Sequence, residues 1–242
     1  VKASYSGTKF IKDAFVASLN EAKTNIRLMA IPNRVLKPGL YQCYLAPAAV
    51  NEILETFSWG GPSFSGLRRG NSPLQEMENE GKHLSPLFTL TEDFDLGLQP
   101  PFNLNGEVAA PQTTIFKQGK LENLLTSTKS AMEFNAVSNN ANDEESMRSP
   151  VIHTGSLKKE DILSTLKNGI YISNLHYLNW SDVTKGRITG MTRFACFLVE
   201  DGEIVAPIKD LRFDETIYNI WGENLVAVTD FAETEVSTDT YF

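Results

Sequence analysis

Apolar positions along this chain change period several times, and each change marks an element. Between residues 8 and 29, Phe10, Ile11, Ala14, Phe15, Ala17, Ala22 and Ile26 recur at helical spacing, which predicts an amphipathic helix ending before Pro32. From Pro38-Gly39 the period drops to two, with Leu40, Gln42 and Tyr44 alternating against Tyr41, Cys43 and Leu45, so 38–46 reads as a strand. Pro47 sits where a first helical turn tolerates it and Gly60-Gly61 supplies a stop, which predicts a helix between them. Residues 62–85 are rich in Gly, Ser and charge without a period and read as a long loop. A short strand within 84–98 follows, then a hairpin over 110–125 that turns at Gln118-Gly119.

Residues 121–133 can start a helix, whereas 135–150 is polar, Asn-rich and acidic and reads as a mobile surface loop. Val151-Ile152-His153 is strand-like, and a short helix is expected at Lys159–Lys167 with Ser156 near its start. Residues 169–212 read as a strand at Ile170–Leu175, a long loop, a strand at Arg193–Glu200, a tight turn and a strand at Glu203–Ile208. The Asp201-Gly202 pair carries the turn, because a type I′ turn needs positive φ at both central residues. A helix near Asp214–Trp221 completes the pattern. Hairpins rather than helical crossovers join the strands, so the expected class is α+β, a largely antiparallel sheet with a few packed helices.

Composition narrows the function classes. The chain has 242 residues, 41% of them hydrophobic, enough for a real core. A net charge of −8 argues against nucleic acid and against an anionic membrane surface as partners, since both need clustered Lys and Arg. No run approaches the ~20 apolar residues of a membrane span, and no signal segment opens the chain, so cytoplasm is the default expectation. Cys43 and Cys196 lie far apart in strand-like runs, which argues against a disulfide scaffold. The chain opens at Val1 without an initiator Met and is read as a piece of a longer protein.

The order of landmarks carries a resemblance. Pro38-Gly39 and its strand lead into a helix; Ser85-Pro86-Leu87-Phe88-Thr89-Leu90 follows a long loop. Thr114 to Leu121 then forms a hairpin, and Gly169-Ile170-Tyr171 and Phe197 to Gly202 close the series. This order across 38–227 resembles the C-terminal domain of the TldD/PmbA proteins, which include metallopeptidases once called modulators of DNA gyrase. The resemblance implies that 38–242 is that domain and that 1–37 is the end of a preceding domain or a linker helix.

In the metallopeptidase branch of the family the helix after the first strand carries His-Glu-x-x-x-His. Two imidazoles hold zinc there, and the glutamate acts as general base toward the metal-bound water. The matching positions here are Asn51, Glu52 and Thr56, of which only Glu52 survives. The family's further cysteine ligand lies near the domain's end, and residues 222–242 contain no Cys. The pattern therefore resembles the TldE/PmbA branch, which lacks the metal motif and pairs with a metal-bearing TldD subunit. It implies no metal, no cofactor and no catalytic residue of the chain's own at Asn51, Glu52 and Thr56. A partner subunit or self-association, and an unfolded peptide, are the implied ligands. An acidic turn of the family is also replaced, by Phe102-Asn103-Leu104-Asn105-Gly106.

Other candidates stand beside plainer readings. Arg193 and Thr192 follow a Gly-bearing loop at a strand start, where a guanidinium can hold a carboxylate or backbone oxygens. Arg68 and Arg69 can bind an acidic peptide or be solvated loop residues. His83, His153 and His176 lack ligand spacing and read as surface or edge histidines. Cys196 could pair with His176 as a thiol nucleophile, but alternation with Phe194 and Leu198 favours a small buried apolar role. Glu92, Asp93 and Asp95 lack calcium-loop spacing and read as a solvated strand end. Three functions remain open: a non-metal, peptide-binding component of a peptide-degrading assembly, a stand-alone hydrolase with an unidentified site, or a plain α+β binding domain.

Overall fold

The computed structural model describes residues 1–2 and 5–235. α1 (Lys12–Leu28) is the expected N-terminal helix, yet none of its residues is buried; Phe15, Leu19 and Ile26 stay exposed. β1 is shorter than predicted, Cys43–Leu45, and leads directly into α2 (Pro47–Ser58) with Pro47 in its first turn. α2 buries Ala49, Ile53, Leu54 and Phe57, the stripe expected of a helix with one face on a core. The stretch 62–85 is not a plain loop. It holds α3 (Phe64–Arg68), whose N-cap Ser63 accepts from the Gly66 N–H at 2.9 Å, and α4 (Gln75–Glu80), ended by Gly81 at φ 67°. Helices this short carry too few turns to show a hydrophobic period.

β2 (Leu90–Asp93) precedes the hairpin of β3 (Gln112–Lys117) and β4 (Lys120–Leu121), and Gln118 and Gly119 take the expected positive φ. α5 (Thr128–Phe134) is capped by Ser127, and β5 (Pro150–Ile152) follows. Between them, 135–150 is anchored rather than a mobile loop. Asn139 accepts from the Thr126 N–H and donates to the Leu124 carbonyl, both at 2.8 Å, and Glu145 is wholly buried. Its polar groups point inward to satisfy backbone, which composition cannot reveal.

α6 (Ile162–Leu166) follows a 3₁₀ turn, and then come β6 (Gly169–Ile172), β7 (Asn174–Asp182) and β8 (Arg187–Arg193). The predicted long loop is thus a hairpin. Register shifts after His176 and after Trp180 break its alternation, and Tyr177 sits at φ 54°, so the period-2 signal is erased. β9 (Phe197–Glu200) and β10 (Glu203–Pro207) flank the Asp201-Gly202 turn as expected. β11 (Arg212–Thr216) replaces the start of the helix predicted from Asp214, leaving one π-helical turn at Asn219–Glu223. Pairing with β8 overrides local preference there.

The strands form three sheets, ordered β1-β6-β9-β10, β11-β8-β7 and β4-β3-β2-β5, and every strand ladder is antiparallel except β1 with β6. The class is α+β, as expected. α2 joins the sheets through an aromatic core in which Trp221 stacks on Phe88 at 4.9 Å and meets Phe57 edge-on at 5.4 Å. No helix among the described residues is long and apolar enough to cross a membrane.

Candidate functional site

β1 aims the start of α2. Its parallel ladder sets Cys43 beside Ile170 and Leu45 beside Ile172, and the Ala46 N–H, at the joint, donates to the Ile172 carbonyl at 2.9 Å. Asn51, Glu52 and Thr56, the positions singled out by the resemblance, then take different surroundings. The Asn51 amide donates to Glu55 Oε1 at 3.0 Å, along the helix surface. Thr56 is 2% exposed and its hydroxyl donates to the Glu52 carbonyl at 2.9 Å, a bond back onto its own helix. Glu52 is half-buried, and burial first, then Glu55, holds its carboxyl above the usual range, while Lys2 and Arg193 pull it back. Neither Asn51 nor Thr56 offers an imidazole, thiolate or carboxylate, and among the described residues no group of three or more His, Cys, Asp or Glu is placed to hold a metal ion. These residues do not fit the zinc that the resemblance attaches to the metallopeptidase branch.

Arg193 lies at the end of β8, not at a strand start, because Phe194 at φ 62° breaks the run. Its guanidinium sits over the Phe194 ring at 4.5 Å and acts electrostatically on Glu52. Thr192 is buried and spent: its hydroxyl accepts from the Leu211 N–H at 2.8 Å and its own N–H donates to the Leu211 carbonyl. Arg68 and Arg69 clamp short helices, Arg68 beside Glu78 at 3.7 Å and Arg69 on Glu133 at 2.6 Å. The structure thus brings Glu52 and Arg193 into one field and leaves Arg68 and Arg69 in separate contacts.

Two smaller readings change. Phe194 does not share an alternating face with Cys196, yet Cys196 is still buried at 2%, its thiol bonded to the Arg193 carbonyl at 3.3 Å. Glu92 is no solvated strand end. It is 3% exposed, with Oε1 accepting from the Arg148 and Ser149 N–H groups at 2.8 and 2.9 Å and no partner for Oε2. Burial pushes its carboxyl up, against those two bonds and Arg148.

The feature that sequence reasoning missed is a groove of about 1970 Å³. β1, the Asn51–Glu55 side of α2, residues 146–154 around β5, and the segments 210–215 and 219–235 line it, Thr192 among them. β1 and β5 are both edge strands of their sheets. Gln42 and Ala46 bond toward β6, so the intervening Cys43 and Leu45 turn their backbone groups outward. No local pattern signals this groove, because its walls come from segments far apart in sequence.

Known proteins share this fold. A protein from Thermotoga maritima described as a modulator of a DNA gyrase superposes with a TM-score of 0.73 at 17% identity, over 90% of this chain and 50% of that one. A second such protein, from Bacteroides thetaiotaomicron, gives 0.71 at 20% identity over 88% and 46%. TldE from Thermococcus kodakarensis gives 0.64 at 17% identity over 86% and 48%. At these identities the likeness establishes the fold, and this chain spans about half the length of each. No curated protein matches by sequence. The model of the PmbA/TldA metallopeptidase C-terminal domain matches residues 38–240, and the chain belongs to that family.

Proposed function

We propose that this chain is a non-metal, TldE/PmbA-like component of a peptide-degrading assembly, binding an extended peptide and a metal-bearing, TldD-like subunit without performing the hydrolysis. The observation that carries the reading is the state of α2: the Asn51 amide is bonded to Glu55 and the Thr56 hydroxyl to the Glu52 carbonyl. Zinc requires donors free to converge, and Glu52 as a general base requires a metal-bound water. The groove supports peptide binding. An extended segment laid along the β1 edge would pair with the Cys43 and Leu45 main chain, a mode that tolerates many sequences. The unit that does this is 38–242, of which 236–242 lies outside the described residues, with 1–37 belonging to a preceding domain or linker.

Cleavage of an unfolded peptide by this chain alone, by a metal-bearing relative alone and by the mixture tests the reading, each repeated with Glu52→Gln. Activity is expected in the mixture, beyond that of the relative, and indifferent to Glu52→Gln. Elemental analysis of this chain should find no stoichiometric zinc. Cleavage by this chain alone that Glu52→Gln abolishes would overturn the proposal.

A further inference from the structure

We infer that the groove selects cationic extended peptides, those carrying Lys or Arg at alternate positions; the inference rests on the peptide-binding reading above. The groove is unevenly charged. Glu55 on α2, Asp210 and Asp214 before and within β11, and Glu223 and Glu233 beyond it all line the cavity. Against them stand Lys37, Arg148 and Arg212. Two of those cations are already engaged: Arg148 Nη1 donates to the Phe102 carbonyl at 2.7 Å and stacks over Phe94, and Arg212 Nε donates to Thr189 Oγ1 at 3.3 Å. Some carboxylates are engaged as well, Asp214 by Arg187 at 3.0 Å and Glu55 by Asn51. Asp210 and Glu223 are exposed, on segments that reach the groove from opposite ends of β11.

A strand added at β1 would present alternate side chains in opposite directions, so that side chains of one parity can meet apolar lining such as Leu45, Leu54 and Ile172 and those of the other can reach the carboxylates. A groove with an excess of one sign of charge and low-dielectric walls focuses the field and concentrates the opposite charge. Main-chain pairing at the edge supplies affinity without sequence preference, and the rim then supplies the preference.

The probes are three fluorescein-labelled ten-residue peptides with identical apolar positions and Lys, Ser or Glu at the alternate ones, titrated by fluorescence anisotropy against the 242-residue chain. Two or three exposed charge contacts, each worth about a factor of two to three, predict roughly tenfold tighter binding of the Lys peptide than the Glu peptide. The ratio should shrink toward one at about 0.5 M salt, where the screening length falls to roughly 4 Å. Asp210→Asn with Glu223→Gln should cut the ratio by about half or more, while Glu200→Gln, on the distant β9–β10 hairpin, should not change it. Equal binding of the three peptides, or tighter binding of the Glu peptide, would overturn the charge selection and leave peptide binding standing. Failure of all three to bind would overturn both.

Discussion

Two buried glutamates respond to acid in opposite senses. Glu145 is wholly buried, and burial opposes its charge, yet the Ser63 hydroxyl at 2.6 Å and the Ser127 and Ser65 N–H groups at 2.9 and 2.8 Å outweigh that cost and lower its pKa. A depressed carboxyl adds stability that is complete above its unfolded pKa and disappears as pH falls through the folded one. Glu92 is raised by burial, so its contribution is complete below the unfolded pKa and is lost as pH rises through the folded value. Urea unfolding from pH 7 to pH 3 should therefore separate two variants. Glu145→Gln should be less stable than the parent by about 1–3 kcal/mol at pH 7, with the gap closing in acid. Glu92→Gln, which keeps an acceptor for Arg148 and Ser149, should instead gain on the parent as pH rises. Parallel pH profiles for parent and both variants would refute these roles. Neither role was legible in the sequence, where Glu145 falls in a polar run and Glu92 in an acidic one. What distinguishes them is burial by residues far along the chain, whereas the absence of an imidazole at Asn51 and Thr56 is a matter of residue type and is read directly.

Elements were legible where one local signal decides them. Gln118-Gly119 and Asp201-Gly202 both form the turns expected, and Pro47 opens α2. They were hidden where non-local pairing decides them, as in the bulged β7–β8 hairpin and in β11. The β1–β6 ladder is the most consequential of the non-local pairings, because it places both α2 and the groove's open edge. Gly169 makes it close. A Cβ there would lie 2.2 Å from the Gln42 carbonyl oxygen and 2.8 Å from Leu166 Cδ1, while the Ile170 N–H bonds that same carbonyl at 2.9 Å. Gly169→Ala must push β1 away from β6 or break that bond. A loss of about 1–3 kcal/mol is expected, the usual cost of overpacking a closed site. Unchanged urea stability would mean that β1 is free to shift and that the joint to α2 is not fixed by this ladder.

At the scale of the molecule, the helix read most easily from the sequence contributes least to the core. α1 has the expected apolar spacing, yet no residue on it is buried, and Glu21 ties it to the body electrostatically, in an exposed pair with Lys159 at 2.7 Å and through the field it exerts on Tyr44 and Tyr171. Surface pairs of this kind are worth roughly 0–1 kcal/mol. Main-chain bonds to the body are made at Arg34, whose N–H donates to the Pro207 carbonyl at 2.8 Å and whose carbonyl accepts from the Lys209 N–H at 3.1 Å. Those bonds cover the C-terminal end of β10, an edge strand of its sheet. This bridge lies a few residues before the family match begins at 38. Removal of residues 1–31 should leave a single cooperative unfolding transition with stability within about 1 kcal/mol of the parent, since little buried area is lost. Removal of residues 1–37 should cost more, because it also removes the Arg34 bonds at the C-terminal end of β10. Calorimetry of the two truncated chains decides this: a large loss from the shorter truncation would show that α1 belongs to the core, and equal stability of the two would show that Arg34 does not protect the edge.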